Sequence, residues 1–558
     1  MKTTLKKWMA TVLLLCSAFA QASAQRMEIT RLANDNILVK IPADVREKYL
    51  LLPVEENAPE ASMRVVADNV QQRVINVRLA LSKVDYYVPF LLDEFRGKNL
   101  ALWTHVNIDR SNRGGVGTEI FFDQIKLSNT FDTTNREKYR PAYHHTPLYG
   151  WMNDPNGMFY LDGTWHLYYQ YNPYGSMWGN MNWGHSTSTD LIHWKDEGVA
   201  IAPDAHGTIF SGSCVVDKAG TAGFGKGAVI ALYTSADAVQ SQSLAYSTDG
   251  GKTFKNYAGN PVLTADVADF RDPNMFWNED IKAWNLILAV GQEMRIYSSP
   301  DLKTWKEESR FGTGLGCHGG VWECPDLIKM TTDNGQRTTD KWVLICNINP
   351  GGPFGGSATQ YFVGDFDGHT FTVDDESRYS DGKALWMDYG KDHYATVSWS
   401  NAPEDRRTVI AWMSNWEYAN VVPTKQFRSA NSIARDLFLY EAGKKYFMGS
   451  RPAKEYDGKG LDTVVKVKGS KTITLSNDAG DEFVITYDEK AMTLSCDRTR
   501  CGETVFSQQF PAVTVAPVHR KLTSLRIFID NCSVEVFGNN GEVVLTNLVF
   551  PKEKLRIK

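Results

Sequence analysis

Three carboxylic residues stand in settings that ordinary surface acids lack. Asp154 lies within Gly150-Trp151-Met152-Asn153-Asp154-Pro155-Asn156-Gly157, Asp272 within Phe270-Arg271-Asp272-Pro273, and Glu323 within Gly319-Gly320-Val321-Trp322-Glu323-Cys324-Pro325. Each is next to a proline or one residue from it, with aromatic residues alongside. Cleavage of a glycosidic bond needs paired carboxyl groups, one as nucleophile or base and one as proton donor. Aromatic rings suit the apolar faces of sugars, and amides and carboxylates suit their hydroxyls. Asp-Pro and Asn-Gly pairs are also ordinary turn formers, and any one of these motifs alone reads best that way. Their combination gains weight if one fold brings all three acids to a single point.

The chain around them supplies such a fold. Asp190-Leu191-Ile192-His193-Trp194, Asp249-Gly250-Gly251-Lys252-Thr253-Phe254, Asp301-Leu302-Lys303-Thr304-Trp305 and Asp367-Gly368-His369-Thr370-Phe371 share one plan, an acidic turn followed by an aromatic. Their aspartates recur at intervals of 59, 52 and 66 residues. Such a period suggests the blades of a β-propeller, whose inner strands surround one axis. Separations of 118 residues from Asp154 to Asp272, and of 51 from there to Glu323, correspond to about two blades and one blade. Before this region, runs such as 36–41, 73–79 and 100–106 read as strands of a small all-β domain. After Glu455, period-two alternation in 464–467, 472–475, 483–487, 525–529 and 533–537 reads as a β-sandwich, with Asn539-Asn540-Gly541 as a hairpin turn. Helical periodicity is scarce, and the chain is expected to be all-β.

The ordered set WMNDPNG, with YHHTP before it and YYQYNP, MWGNMNWGH, IFSGS, DFRDP and WECPDL after it, closely resembles glycoside hydrolase family 32. That family includes invertases, inulinases and levanases. The likeness continues through Gly355-Gly356-Ser357, Trp412-Met413-Ser414-Asn415-Trp416, Arg435-Asp436-Leu437 and Ser533-Val534-Glu535-Val536-Phe537. It covers about three quarters of the chain and leaves residues 25–136 unexplained. The resemblance implies a five-bladed β-propeller catalytic domain at 144–452 joined to a C-terminal β-sandwich at 453–558. An additional N-terminal β-sandwich-like domain is expected at 25–130, followed by a linker at 131–143. By the same resemblance the nucleophile falls on Asp154, the acid/base on Glu323 and the transition-state-stabilising acid on Asp272. Trp151, Asn153, Gln170, Trp178, Phe210, Ser211, Arg271 and Trp416 would bind substrate, and Arg271 is expected to keep Asp272 ionised. The reaction implied is retaining hydrolysis of β-fructosidic bonds, with exo-release of fructose from levan or inulin and action on sucrose. Endo-levanase action, fructosyl transfer and non-catalytic fructan binding are the alternatives. The partner implied is a fructan, and no cofactor or metal is required.

Composition sets the remaining bounds. With 60 Lys and Arg against 65 Asp and Glu, a large basic surface for nucleic acid is not expected. Lys2, Lys6 and Lys7 precede an apolar run from Trp8 to Phe19, and Ala22-Ser23-Ala24 follows it. This is the pattern of a signal peptide over residues 1–24, so the protein is expected to be exported, periplasmic or extracellular, with no integral membrane span. Cys16 within the run offers lipid attachment as a lesser option, disfavoured because Leu13-Leu14-Leu15 lacks a small residue. Cys496 and Cys501 are spaced to close a small loop, but no CxxC or HExxH pattern supports zinc. His144, His145, His185 and His193 read as packing or hydrogen-bonding residues, the first two near the pocket mouth. The Gly351–Gly356 run precedes no helix pattern and does not read as a phosphate loop. Tyr86, Tyr87 and Trp103 of the N-terminal domain could touch sugar, but read first as fillers of a sandwich core.

Overall fold

The structure, a computed structural model, describes residues 27–32, 36–106, 121–134, 137–333 and 338–558. The signal-peptide pattern and Cys16 lie outside the described residues. The chain forms two compact units, one comprising the described residues up to Thr134 with Pro173–Gly175, the other the remainder. Strands dominate both, and the one α-helix among the described residues is Phe121–Gln124. No helix among them is long and apolar enough to cross a membrane.

The smaller unit holds two antiparallel sheets. One runs in the order Glu28–Arg31, Asn36–Ile41, Leu100–Val106, Ala61–Ala67, Val70–Val77, and the other Tyr86–Leu91, Tyr49–Val54, Lys126–Ser128. Alternation along these strands buries Val39, Leu102, Met63 and Val65 on one face.

In the larger unit five successive antiparallel sheets form the blades of a propeller. Their first strands are Gly150–Leu161, Thr208–Asp217, Phe270–Asn278, Val321–Asp333 and Tyr394–Ser398. Each of these inner strands packs beside the next, and the fifth returns to the first, which closes the ring. Neighbouring blades share apolar clusters: Phe159 and Trp183 meet Ile209 and Tyr233, Ile230 and Leu244 meet Phe270 and Leu286, and Tyr394 and Trp412 meet Trp151. Strands buried on both faces therefore read as long apolar runs, such as Ala228–Ala236. The ring is further latched where Phe427–Arg428, from the fifth blade's long connection, pairs in parallel with Gly150–Trp151.

The C-terminal sandwich packs a four-stranded sheet (462–466, 524–529, 533–538, 543–548) on a five-stranded one (513–517, 493–500, 482–488, 471–476, 556–557). Cys496 and Cys501 both lie buried in its core with free thiols, so the small disulfide loop is not formed. The stretch 137–143 is bound down on this sandwich. Tyr139 packs edge-on to Phe550 and donates to its carbonyl, and the amides of Ala142 and Tyr143 donate to Asp530.

Candidate active site

All five inner strands carry the same irregularity. Against its neighbour, each gains one extra residue: between Met152 and Pro155, Ile209 and Gly212, Arg271 and Asn274, Glu323 and Asp326, and Tyr394 and Val397. A bulge of this kind interrupts the hydrogen-bond ladder and re-aims side chains. It also explains the sequence: Pro155, Pro273 and Pro325 have no N–H to give, and a bulge tolerates that loss. Asp272, Cys324 and Ala395 adopt left-handed φ of 64°, 42° and 54° at these bulges, a costly conformation for residues with a Cβ. The bulges present Asp154, Ser211, Asp272, Glu323 and Tyr394 together, one from each blade.

Short contacts join the three acids. Asp154 Oδ2 accepts from Ser211 Oγ at 3.0 Å and from Cys324 Sγ at 3.4 Å, while Oδ1 accepts from Asn153 Nδ2 at 3.1 Å. Asp272 Oδ2 accepts the Cys324 amide at 2.9 Å and lies 3.6 Å from the same sulfur. Arg271 donates to Glu323 Oε1 from Nη2 at 2.8 Å and from Nε at 3.2 Å. The hydroxyl of Tyr394 donates to the other Glu323 oxygen. Arg271 reaches Asp272 only at 4.0 Å, so its principal partners are Glu323 and, at 2.6 Å, Asp269. From there its charge still favours the ionised form of Asp272, as expected, while its guanidinium fork spans two other carboxylates.

Burial governs the electrostatics. Desolvation, with a smaller contribution from the Glu323 charge, pushes Asp154 up to about 6 against the hydrogen bonds from Asn153 and Ser211. Asp272 is pushed up to about 7, again chiefly by desolvation; the Arg271 charge pulls it back, while Glu323 and Asp154 push it further up. Desolvation also raises the Cys324 thiol, which remains a neutral donor between the carboxylates rather than a nucleophile.

The other expected binding residues fall into distinct places. Asn153, Gln170 and Ser211 are buried beside the acids, and Gln170 Nε2 has no hydrogen-bond partner among the described residues, which suits a donor awaiting a hydroxyl. Trp178 is 46% exposed and stands edge-on to the half-buried Phe210, with their rings 6.3 Å apart. Trp416 is half-buried and stacks on Trp151 at 5.8 Å. Trp151 itself is wholly buried, and its Nε1 donates to Asn153 at 2.8 Å. The expected sugar contact from Trp151 is therefore replaced by a positioning one. The Gly-rich run packs on Asn415, whose amide donates to the carbonyls of Gly355 and Lys391. At Gly356, with φ of 67°, a Cβ would sit 1.9 Å from that side chain.

Two of the histidines lie elsewhere than expected. His144 is buried between Asp530 and Glu535 of the sandwich, and His145 bonds Ser186 and Asn431 within the propeller. Two partners of the acids were not foreseen. Tyr394 opens the fifth inner strand, and Thr234 accepts the Asp272 amide at 3.0 Å. The signal that could have found Tyr394 is its position, about one blade beyond Glu323.

Comparison with known proteins agrees with this geometry. Residues 144–450 match the glycosyl hydrolases family 32 N-terminal domain and residues 452–557 the family 32 C-terminal domain, whereas 33–143 match a domain of unknown function, DUF4980. Levanase from Bacillus subtilis is 43% identical over 74% of this chain and 67% of its own length. Extracellular exo-inulinase from Aspergillus awamori is 37% identical over 74% of this chain and 90% of its own. The crystal structure of the Aspergillus awamori exo-inulinase superposes with a TM-score of 0.70 at 35% identity, covering 76% of this chain and 96% of that one. The Schwanniomyces occidentalis fructofuranosidase complexed with fructosylnystose gives 0.67 at 33% identity, covering 76% and 94%. With its bulged ring of acids and matches across both domains, the chain belongs to glycosyl hydrolase family 32 and is a glycosidase.

Proposed function

We propose that this protein is an exported, exo-acting and retaining β-fructosidase that releases fructose from the ends of levan or inulin and also cleaves sucrose. The observation that carries this reading is the meeting of Asp154, Asp272 and Glu323 around Cys324 and Arg271, each acid delivered by a bulge on a different blade. The names of the relatives, levanase and exo-inulinase, support the substrate class and the mode of attack. The extracellular relative and the pattern at residues 1–24 support export.

In this mechanism Asp154, ionised, attacks the anomeric carbon of the terminal fructosyl unit as the bond to the leaving oxygen breaks. Glu323 gives its proton to that oxygen. A water then enters, Glu323 takes its proton, and the fructosyl–Asp154 bond breaks with net retention. Asp272 holds ring hydroxyls as positive charge develops on the ring, and the amide of Gln170 supplies a further hydroxyl contact. Trp178 and Phe210 form the apolar wall at the mouth.

A product time course on levan, inulin and sucrose tests the reading. Fructose as the sole early product from both polymers is expected. Short oligosaccharides overturn exo-action, and lengthened products overturn hydrolysis in favour of transfer. Asp154→Ala and Glu323→Ala should each remove nearly all turnover while the melting temperature stays close to wild type. A folded variant with wild-type turnover removes that residue from its role.

A further inference from the structure

The five-stranded sheet of the N-terminal unit has an outer face that its core does not explain. Alternation places Leu38, Lys40, Ala101 and Trp103 there, with Leu38 directly opposite Trp103 and Lys40 opposite Ala101. Trp103 keeps 44% of its surface open, whereas Tyr86 is buried and donates to Glu56, and Tyr87 is half-buried and donates to Gln124. Of the three aromatics read as core fillers, Trp103 is the one that does not fill the core. An open indole within a polar surround is a recurrent mark of a binding surface.

This indole lines a cavity of about 700 Å³. Its apolar floor includes Leu38 and Ala101, and Lys40, Asp68, Asn69 and Asn99 stand around it. Of these polar groups, Asp68 is fixed by a backbone hydrogen bond, whereas Lys40 lies near an exposed acid. Lys40 faces Glu28 at 3.8 Å, and Asp68 accepts the Asn99 amide at 3.0 Å. Asp68 and Asn69 form the turn between the strands 61–67 and 70–77, both with left-handed φ, at 47° and 67°. Lys40 and Arg64, the latter directly opposite Trp103 on the neighbouring strand, are balanced by the carboxylates of Glu28 and Asp68, which leaves no positive excess, so an anionic polymer is disfavoured. An aromatic platform ringed by amides and carboxylates is the chemistry that takes an uncharged, polyhydroxylated ring: its C–H face lies on the indole and its hydroxyls bond the rim.

We propose that this cavity is a second carbohydrate-binding site, taking an uncharged polysaccharide through Trp103. The choice of a fructan as that polysaccharide rests on the function proposed above; the platform chemistry does not. A site of this kind raises the retention of a polymer and leaves the turnover of sucrose alone.

The test is affinity electrophoresis of the full chain carrying Glu323→Ala, so that the gel is not digested, with and without Trp103→Ala. Gels contain levan, inulin, dextran or starch. Trp103→Ala is expected to weaken binding to levan or inulin about tenfold, as for loss of an aromatic anchor, and Trp103→Phe to recover part of it. In the otherwise native chain, Trp103→Ala is expected to leave kcat and KM for sucrose unchanged. Equal retardation of both proteins by every polysaccharide overturns the proposal, as does an equal fall in sucrose turnover. Trp103-dependent retardation by starch or dextran in place of fructans overturns the ligand named. Fructan hydrolysis by the native chain without Trp103-dependent retardation overturns this proposal alone. Trp103-dependent retardation by levan without any fructan hydrolysis overturns the proposed activity alone.

Discussion

Ser211, together with Asn153, shapes the acid side of the pH profile. Its hydroxyl bonds Asp154 at 3.0 Å and opposes the desolvation and Glu323 charge that push this acid up to about 6. The proposed mechanism needs Asp154 ionised and Glu323 protonated, and a neutral Glu323 no longer pushes Asp154 up, so kcat/KM should fall as pH drops below about 6. Asp272, pushed up to about 7, lies beside it, so that limb belongs to the pair rather than to one acid. Ser211→Ala removes a hydrogen bond to the charged form, worth about 1.5 kcal/mol. The acid limb should therefore move to higher pH, with kcat/KM down about tenfold on that limb. Matching pH–rate profiles for variant and wild type between pH 4 and 7 would sink the assignment. The acids were legible in sequence because each stands beside, or one residue from, the proline that its bulge tolerates. Tyr394 was not, since its bulge is built from Ala395 and Thr396, which carry no turn signal. Nor could composition tell that Arg271 turns to Glu323, because side-chain direction on a bulge depends on neighbouring blades.

At the level of elements, the four repeated acidic turns are the hairpins between third and fourth strands of the first four blades. In each, the carboxylate accepts backbone amides two to four residues ahead: Asp190 from Ile192 and His193, Asp249 from Lys252 and Thr253, Asp301 from Lys303 and Thr304, Asp367 from His369 and Thr370. The fifth blade replaces this device by the two-residue turn Gly443-Lys444, both left-handed, so four repeats were visible for five blades. The strand Tyr49–Val54 escaped notice for a related reason: Leu50, Leu51 and Leu52 are all buried, and an apolar run has no period to read. Asp301→Ala should destabilise by about 1 kcal/mol once solvent screening is allowed for. Urea unfolding would show a lower midpoint with unchanged slope, and kcat should not move. An unchanged midpoint would mean that this turn holds its shape without its carboxylate.

Across the whole larger unit, a buried ionic cluster joins propeller to sandwich and accounts for two motifs that the acids leave unexplained. Arg435 pairs with Glu535 at 2.5 Å and Asp388 at 2.9 Å, and Glu535 also meets His144, whose other nitrogen bonds Asp530 at 2.7 Å. Burial alone would lower His144, but its bonds to Asp530 and Glu535 prevail and raise it to about 9. Burial acts upward on Asp530 and Glu535, and His144 and Arg435 override it, holding both at about 2. The linkage then has two signs. The His144 contribution is complete below its unfolded value near 6.5 and disappears as pH rises through about 9. The carboxylate contribution is complete above about 4.5 and disappears as pH falls through about 2. The cluster therefore supports the fold most between about pH 4.5 and 6.5. His144→Gln, which keeps a polar side chain but not the charge, leaves two buried carboxylates short of a cation, a loss on the order of 3 kcal/mol at pH 6. Melting temperatures from pH 5 to 10 provide the check. The gap between wild type and variant should be widest near pH 6 and close through pH 9, because the native histidine sheds its proton there; a gap of constant width would show that His144 is neutral throughout and holds the two domains by shape alone.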